Sequence, residues 1–534
     1  MDDTGQVAAT PVTPPPSRAR ASALVAAGIL LSRISGLIRE RVFAHFFGAS
    51  PVADAWKAAL RLPNVLQNLL GEGTLSASFI PIYAELLEEG RERDAARFAG
   101  AALGLLTVAA GIMAILGILL APWLVGFFFY GFDPARQALT VDLVRILFPM
   151  TALLVISAWA LGILNSHRRF FLSYVAPVAW NAAMILAMAV GGLVWERSPE
   201  ELVRILAWGA LVGGGLQLLV QLPLTLRLLS EFKPTLSTRI HGVREAIRNF
   251  LPVVAARGAV NLGGWLDYAL AAFLTAGAVA TLSYAQILFM LPISLFGMSV
   301  AASELPEISR ARKHHQNRLA TEVTQAGRRV AYFLVPSTLG YLLLGDVIVS
   351  AIFETGAFGR DEVLVTWVIL AAYALGMGAS ATSRLLSSAF YALRDTTTPA
   401  RMAYIRVSLA LVLGAILMFP LDRFRVGPLG LGAAGLAAAS AVAAWVELTL
   451  LRRRLRQRIG DVLFLGEGHL WRLLLAGSVA GGIGLGIRIA LPPLHPWLMA
   501  LATLLPFGVV YLFMTRMLGV SGPLERLLAQ RSER

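Results

Sequence analysis

The sequence predicts an all-α polytopic membrane protein with about fourteen transmembrane helices. Three observations support this fold class: the composition, the long uncharged runs and the alternation of basic connections. Of the 534 residues, 57% are hydrophobic and only 15% are charged, whereas a soluble domain normally carries about 25% charged residues. Together with a mean hydropathy of +0.69, this composition indicates a chain that folds mainly in lipid.

Long uncharged runs predict the individual spans, because about 20 mostly apolar residues are needed to cross the hydrocarbon core. Residues 101–130 contain no charge, and this run is too long for the core helix of a soluble domain. Apolar runs between basic, proline or glycine breaks predict spans near 22–47, 53–86, 101–128, 138–166, 171–195, 201–229, 242–275, 279–308, 325–352, 362–393, 400–419, 426–453, 468–491 and 495–517.

The basic residues concentrate in alternate connections between these spans. The connections after spans 2, 4, 6, 8 and 12 are basic, whereas the others hold only isolated basic residues such as Arg136 and Arg197. Basic loops stay on the cytoplasmic side of a membrane, so both termini are expected there. Topology and anionic lipids thus account for the formal net charge of +14, and no nucleic-acid partner is expected.

Two pairs of markers suggest an internal repeat. Gly48 and Pro63 match Gly277 and Pro292 with the same offset of 229 residues. Six spans separate the equivalent positions, so the repeats would be parallel, as in transporters built from two lobes. Chance pairing of glycine and proline is the alternative. The predicted organisation is a disordered cytoplasmic tail (1–21), an N-terminal six-helix lobe (22–229), a cytoplasmic linker (230–241), a C-terminal six-helix lobe (242–457), a two-helix appendage (458–517) and a cytoplasmic tail (518–534).

Charged residues within the first two spans are the best candidates for function. Arg33, Arg39, Arg61 and Glu72 all lie there. Each arginine at the centre of a membrane helix costs about 2.5–3.5 kcal/mol on insertion scales, so such residues usually face a cavity or the bundle interior. The alternative is that Arg39 and Arg41 lie at the outer end of span 1 and their side chains snorkel to the membrane surface. Pro63 and the nearby glycines also favour a break in span 2, where transporters often place substrate contacts.

The same region contains an ordered series of short motifs. They are Ser32-Arg33, Gly36, Arg39-Glu40, Phe47-Gly48-Ala49, Asp54-Ala55, Leu62-Pro63-Asn64, Gly71-Glu72-Gly73 and Phe79-Ile80-Pro81. In order and spacing this series resembles the MurJ (MviN) family of lipid II flippases, and the resemblance extends more weakly to Phe353–Phe358. It implies the fold of the MOP exporter superfamily, a bacterial inner-membrane location, and flipping of lipid II, the undecaprenyl-pyrophosphate-linked disaccharide-pentapeptide used for peptidoglycan, to the periplasmic face.

The resemblance also implies roles for particular residues. Arg33, Arg39, Asp54 and Glu72 match functional positions of the family. Arginine suits a pyrophosphate because its planar fork of donors matches phosphate oxygens. We therefore expect Arg33 and Arg39, together with Arg61, to bind the substrate. Asp54 and Glu72 are expected to gate the cavity by exchanging partners with these arginines.

Two arginines of the family pattern are missing from this chain. Gln67 occupies the position in span 2 and Ile287 the position in span 8. Arg257 in span 7 is a candidate replacement for the second charge, because Asp267 is the only other charged residue in the apolar run that contains it. Snorkelling to the cytoplasmic surface is the alternative role for Arg257.

The sequence thus predicts a non-enzymatic, alternating-access transporter with a cationic central cavity, no cofactor and no metal. The expected partners are the lipid-linked peptidoglycan precursor and membrane lipids, with cell-wall synthesis proteins as further candidates. The last two spans are a candidate groove for the lipid tail, with ordinary helix packing as the alternative. Other functions that remain open are flipping of another polyprenyl-pyrophosphate glycan, multidrug export, and a non-transporting scaffold for cell-wall synthesis.

Overall fold

The computed structural model describes residues 18–229, 232–297, 316–460 and 468–520, and these ranges are almost entirely helical. The helices are α1 (Arg18–Phe47), α2 (Pro51–Leu70), α3 (Glu72–Ser78), α4 (Ile80–Glu88), α5 (Glu92–Phe128), α6 (Pro134–Ser166), α7 (Phe170–Ala189), α8 (Pro199–Arg227), α9 (Val243–Ala271), α10 (Ala278–Pro292), α11 (Gln316–Phe353), α12 (Arg360–Leu375), α13 (Met377–Ala392), α14 (Thr397–Asp422), α15 (Gly432–Ile459), α16 (His469–Ala490) and α17 (Pro496–Met517). Strands β1 (Arg425–Val426) and β2 (Leu429–Gly430) form a small antiparallel hairpin before α15. The predicted all-α class is confirmed.

The number of membrane spans follows from helix length and composition. Within the described ranges, ten helices are long and apolar enough to cross a membrane, or eleven if α12 and α13, bent by 42°, form one span. Helices α1, α2 and α9 are 30, 20 and 29 residues long and are not among these ten. The predicted count of fourteen therefore stays a prediction.

The helices pack in three groups. The first helix group contains α1, α2 and α5–α8, the second contains α9–α15, and the C-terminal pair α16 and α17 packs on α11. The buried carboxylate of Asp346 in α11 forms ion pairs with Arg360 of α12 and Arg488 of α16. It thereby links the C-terminal pair to the second helix group. Helices α2 and α3 contact α9 across the two large groups, and α2 also contacts α10. The junction of these groups is where charged residues of both can meet.

The outer surface has the chemistry of a lipid-facing bundle. Large aliphatic side chains are exposed along the middle of outer helices, among them Leu119, Leu219, Val412, Ile416 and Val509. Several exposed aromatic residues lie nearer the helix ends, among them Trp123, Tyr130, Trp195, Trp471 and Trp497. Aromatic residues favour the two membrane interfaces, whereas aliphatic ones favour the hydrocarbon between them.

The second predicted span is discontinuous, as its sequence suggested. Helix α2 continues through Pro63 and ends at Leu70, because Gly71 is extended, with φ −84° and ψ −151°. The chain then forms α3 and α4, which are separated at Phe79. Glu72 begins α3 directly after the first break. The break thus lies beside the acidic residue that the family resemblance singled out.

Some predicted boundaries differ from the structure. Helix α1 begins at Arg18, before the predicted start at residue 22, while residues 1–17 and 521–534 of the predicted tails lie outside the described residues. The twelfth span was predicted to end at residue 453, but its helix α15 continues to Ile459 and includes the basic run Arg452–Arg458 in its last two turns. Arginine is a good helix former, and its charge is favourable at a helix C-terminus.

Two glycine turns bring the large helix groups into contact. Gly48, between α1 and α2, and Gly277, before α10, have positive φ angles of 54° and 92°. A Cβ atom on Gly48 would lie 2.3 Å from the carbonyl oxygen of Ala357, and one on Gly277 would lie 2.3 Å from that of Ala49. Each turn therefore touches the opposite group through its backbone. These are the two glycine markers of the predicted repeat.

We expect Gly277→Ala to lower the unfolding temperature of the detergent-solubilised protein. A left-handed backbone costs a non-glycine residue about 1–2 kcal/mol, and the new methyl group would overlap the backbone of Ala49. Gly482→Ala in α16 is the control, because no heavy atom lies within 4 Å of the added Cβ. Equal unfolding temperatures for the two variants would contradict this account of the turn.

Candidate functional site

Arg39 is held inside the first helix group. Its Nη1 donates to Oδ1 of Asn181 at 3.1 Å, and its Nη2 donates to Oε1 of Glu40 at 2.6 Å. The guanidinium lies 5.0 Å from the ring centroid of Trp180. Both Asn181 and Trp180 belong to α7, so Arg39 points from α1 towards the interior. The snorkelling alternative for Arg39 is not what the structure shows.

Glu40 also pairs with a lysine that the sequence analysis did not single out. Nζ of Lys57 lies 2.5 Å from Oε2 of Glu40, and both residues are buried. The same ammonium group lies 4.5 Å from the ring of Phe43 and 4.9 Å from that of Tyr284 in α10. One carboxylate therefore faces two cations, so the cluster of Arg39, Glu40 and Lys57 keeps a net positive charge. The sequence offered one signal for this residue, because a lysine inside a predicted membrane span is rare and usually has a partner.

Arg33 reaches from the first helix group to the second. Its side chain is exposed, and its Nη1 donates to Oγ of Ser294 at 3.0 Å. Ser294 belongs to the π-helical turn Ile293–Gly297 that extends α10. Six residues of α1 separate Arg33 from Arg39, a rise of about 9 Å. The two arginines therefore lie at different depths of the same helix.

Arg61 also bridges the two groups. Its Nη2 donates to the carbonyl oxygen of Gly264 in α9 at 3.1 Å, and its guanidinium lies 4.7 Å from the ring of Tyr268. Its Nε is buried without a hydrogen-bond partner. Asp267, one helical turn from Gly264, lies within electrostatic range of both Arg61 and Arg406. Arg61 thus retains a buried donor that has no acceptor among the described residues.

The second helix group contributes charges that the sequence analysis missed. Arg406 of α14 donates through Nη1 to Oε2 of Glu447 at 2.9 Å and through Nη2 to Oγ of Ser380 at 3.2 Å. Arg384 of α13 interacts electrostatically with Arg406 and Glu447. It is exposed, and its side chain has no hydrogen-bond or ion-pair partner among the described residues. The signal, again, was charge inside predicted spans.

Asp54 joins the two groups at the opposite end of α2 from the break. Its buried carboxylate accepts hydrogen bonds from the backbone N–H groups of Gly277 at 2.7 Å and Ala280 at 2.8 Å. Nη1 of Arg136 in α6 lies 3.3 Å from the same carboxylate. A carboxylate from α2 therefore satisfies orphan donors at the N-terminus of α10, where the helix dipole favours negative charge. We call Asp54, Arg136, Gly277 and Ala280 the inter-group clasp.

Neighbouring contacts reinforce the clasp. The hydroxyl of Tyr284 donates to the carbonyl oxygen of Gly48 at 3.0 Å, and the N–H of Ala357 donates to that of His45 at 2.8 Å. Nδ1 of His45 lies 2.9 Å from Oγ1 of Thr355. All three contacts connect the first group to the second, so this end of the bundle is closed.

The loop before α6 orients the arginine of the clasp. Asp133 caps α6, and its carboxylate pairs with Nε of Arg136 at 2.5 Å. A hydrogen bond from the backbone N–H of Arg136, together with the Arg136 side chain, holds the pKa of the Asp133 carboxyl below its ordinary value. Arg136 is thus fixed between two carboxylates, one in the loop and one in the clasp.

For the remaining predicted residues the structure gives the position in a helix. Arg257 lies within α9 and Glu72 begins α3, but the side chains of both fall outside the described residues. Gln67, where the family has arginine, lies in the last turn of α2 and its carbonyl oxygen accepts from the N–H of Gly71 at 2.7 Å. Ile287 is half-buried in α10. Of the four arginines predicted to bind the substrate, Arg33 and Arg61 make contacts from the first group to the second.

Comparison with known proteins identifies the family. The family model described as "Lipid II flippase MurJ" matches residues 43–515. The lipid II flippase MurJ of Burkholderia cenocepacia is 31% identical over 446 residues, which cover 82% of this chain and 84% of that protein. The probable lipid II flippase MurJ of Aquifex aeolicus is 28% identical over 471 residues, covering 88% and 89%.

Solved structures share the fold. A structure of lipid II flippase MurJ in an inward closed conformation matches with a TM-score of 0.75 and 22% identity, covering 93% of this chain and 98% of the other. An inward-facing multidrug resistance MATE family transporter of the MOP superfamily matches with a TM-score of 0.61 and 15% identity, covering 84% and 96%. The family model spans most of the sequence, so the predicted resemblance is confirmed: this chain belongs to the MurJ family of lipid II flippases.

Proposed function

We propose that this protein moves lipid II from the cytoplasmic to the periplasmic leaflet for cell-wall synthesis. The observation that carries the proposal is the set of intramembrane arginines at the junction of two helix groups. Arg33 and Arg61 each reach from the first group to the second, so a ligand bound between the groups would meet both. Membership of a flippase family supports transport rather than enzymatic chemistry, and flipping requires no covalent bond to change.

The proposed topology has both termini in the cytoplasm and the chain in a bacterial inner membrane. The basic connections support this orientation. In it, the inter-group clasp closes the periplasmic end. We further propose that the first helix group is the N-terminal lobe (22–229), the second is the C-terminal lobe (242–457), and 458–517 is an appendage whose helices line a path for the polyprenyl tail.

The proposed binding site assigns the pyrophosphate to arginines. Among the described residues, Arg33 donates only to a serine hydroxyl, so its remaining donors are free for phosphate oxygens. Arg61 has a buried Nε without a partner in the same part of the chain. Arg39 already pairs with Glu40. Because Lys57 pairs with the same carboxylate, Glu40 neutralises only one of the two cations, and the remaining positive charge can attract the pyrophosphate. Arg257 of α9 is proposed as the fourth substrate-binding residue, replacing the charge absent at Ile287.

Alternating access requires the clasp to open. Hydrogen bonds to charged groups contribute about 1.5–3 kcal/mol each, so the bonds that Asp54 accepts from α10 favour the arrangement closed at that end. A substrate shifts such an equilibrium only through contacts that differ between the two states. We propose that Asp54 and Glu72 gate the cavity by exchanging partners as the arginines engage the pyrophosphate.

The first test is complementation of a bacterium depleted of its own lipid II flippase. We expect Arg33→Ala and Arg39→Ala to abolish growth, and Lys at either position to retain part of it, because Lys keeps the charge but lacks the fork of donors. Arg204→Ala is the control, since this exposed arginine pairs with Asp142 away from the junction. If both alanine variants complement fully at normal protein level, the substrate-binding assignment is wrong.

The second test measures opening of the clasp by disulfide crosslinking, which is clean because the native chain has no cysteine. We expect His45→Cys with Thr355→Cys to crosslink across the closed end, and Asp54→Asn to reduce the yield because it removes the charge that α10 binds. Glu72→Gln tests the second gating residue in the same assay. Asp142→Asn, a change at an exposed carboxylate, is the control. An unchanged yield in Asp54→Asn and Glu72→Gln would exclude the gating role.

The third test concerns the charge missing from α10. We expect Arg257→Ala to abolish complementation, and adding Ile287→Arg to restore part of it by returning a cation to the same group. Growth is compared at matched protein level. Full activity of Arg257→Ala alone would refute the replacement.

A further inference from the structure

An apolar groove opens on the outer surface where α1, α11 and α17 meet. Its volume is about 490 Å³, and aliphatic side chains such as Leu37, Ala351, Leu501 and Leu505 line most of it. Arg41 is the one charged residue in its lining. The groove therefore involves both large helix groups and the C-terminal pair.

Arg41 supplies a positive charge that has no counter-ion in the part of the chain that the structure describes. Its Nη1 donates to the carbonyl oxygens of Ala351 at 2.8 Å and Ile352 at 2.7 Å, and its guanidinium lies 5.5 Å from the ring of Trp497. Among the described residues no carboxylate forms an ion pair with it, and its Nε and Nη2 have no acceptor. An arginine in these surroundings has donors that suit a phosphate.

Arg41 lies apart from the proposed pyrophosphate site. It follows Arg39 by two residues, a rotation of about 200° around the helix. Arg39 contacts α7 in the interior, whereas Arg41 faces the groove on the other side of α1. A ligand of Arg41 therefore reaches it from the surrounding membrane and not from the side of α1 that faces α7.

The length of the groove matches one leaflet. Trp497 is the second residue of α17, at the depth where aromatic residues favour the membrane interface. From Trp497 to Leu505 the helix rises about 12 Å, close to half of the roughly 30 Å hydrocarbon core. A single alkyl chain would fill the groove when the phosphate of the same lipid lies beside Arg41.

We propose that this groove binds an anionic phospholipid of the periplasmic leaflet, with one acyl chain along α17 and its phosphate on Arg41. The assignment of the leaflet rests on the proposed topology. Arg41 also joins α1 of the first helix group to the end of α11 in the second. A lipid that binds this arrangement more tightly than others stabilises it, so the anionic lipid content of the membrane sets how readily the closed end opens.

The experiment compares thermal unfolding of the full-length detergent-solubilised protein with added phosphatidylglycerol or phosphatidylcholine of identical acyl chains. At lipid concentrations far above Kd, we expect phosphatidylglycerol to raise the unfolding temperature by about 3 °C or more over phosphatidylcholine. Arg41→Gln should lose this difference and Arg41→Lys should keep part of it. Arg204→Gln, a control at an exposed arginine of the first group, should keep all of it.

A second measurement keeps the proposal testable if an Arg41 variant folds poorly. Leu501→Trp fills the groove and leaves Arg41 in place, and native mass spectrometry should show fewer retained phosphatidylglycerol molecules than in the parent protein. Equal stabilisation by the two lipids, or an undiminished difference in Arg41→Gln, would overturn the proposal. An Arg41-dependent shift seen with lipid II and not with phosphatidylglycerol would overturn it too, because the groove would then be a substrate site. No arm measures flipping, so failure here leaves the proposed transport function unaffected.

Discussion

The carboxylate of Asp54 at the N-terminus of α10 is the contact on which the closed end of the bundle depends. It comes from the first helix group, whereas the N–H groups that it satisfies belong to the second. Removing it would leave the buried N–H groups of Gly277 and Ala280 without their acceptor, and Arg136 with Asp133 as its remaining ion-pair partner. The glycine turns at Gly48 and Gly277 make the contact possible, because neither tolerates a Cβ at that separation. The position of the Asp54 carboxylate thus depends on the two glycine turns, and the contact between the two helix groups depends on that carboxylate.

The cationic residues inside the helix groups are of two kinds, those with a carboxylate partner and those without one. Arg406 is paired with Glu447, and Glu40 is shared by Arg39 and Lys57. Arg33, Arg61 and Arg384 form no ion pair among the described residues. Buried ion pairs within one group mainly satisfy each other, whereas cations without a counter-ion favour an anionic ligand. The proposed transport cycle follows from this division, since a pyrophosphate between the groups would supply the missing negative charge.

The fold class and the first-span arginines were accessible from the sequence, because hydropathy and charge depend on composition more than on packing. The pairs Glu40–Lys57 and Arg406–Glu447 were not. Their partners lie on neighbouring helices, 17 and 41 residues apart, and contact depends on the rotation of each helix about its axis. The helical form of the Arg452–Arg458 run was also not accessible, because a basic segment is compatible with both a loop and a helix end. Asp54 was identified by family resemblance, yet its role as a cap for α10 required the fold.

The central claim is that this protein transports lipid II itself and does not merely support cell-wall synthases. The most direct measurement is the fraction of lipid II exposed on the outer face of spheroplasts after acute depletion of the native flippase. We predict that expression of this protein restores exposure to the level before depletion, and that Arg33→Ala with Arg39→Ala does not. Exposure that stays at the depleted level, with the wild-type protein folded and in the membrane, would contradict the account.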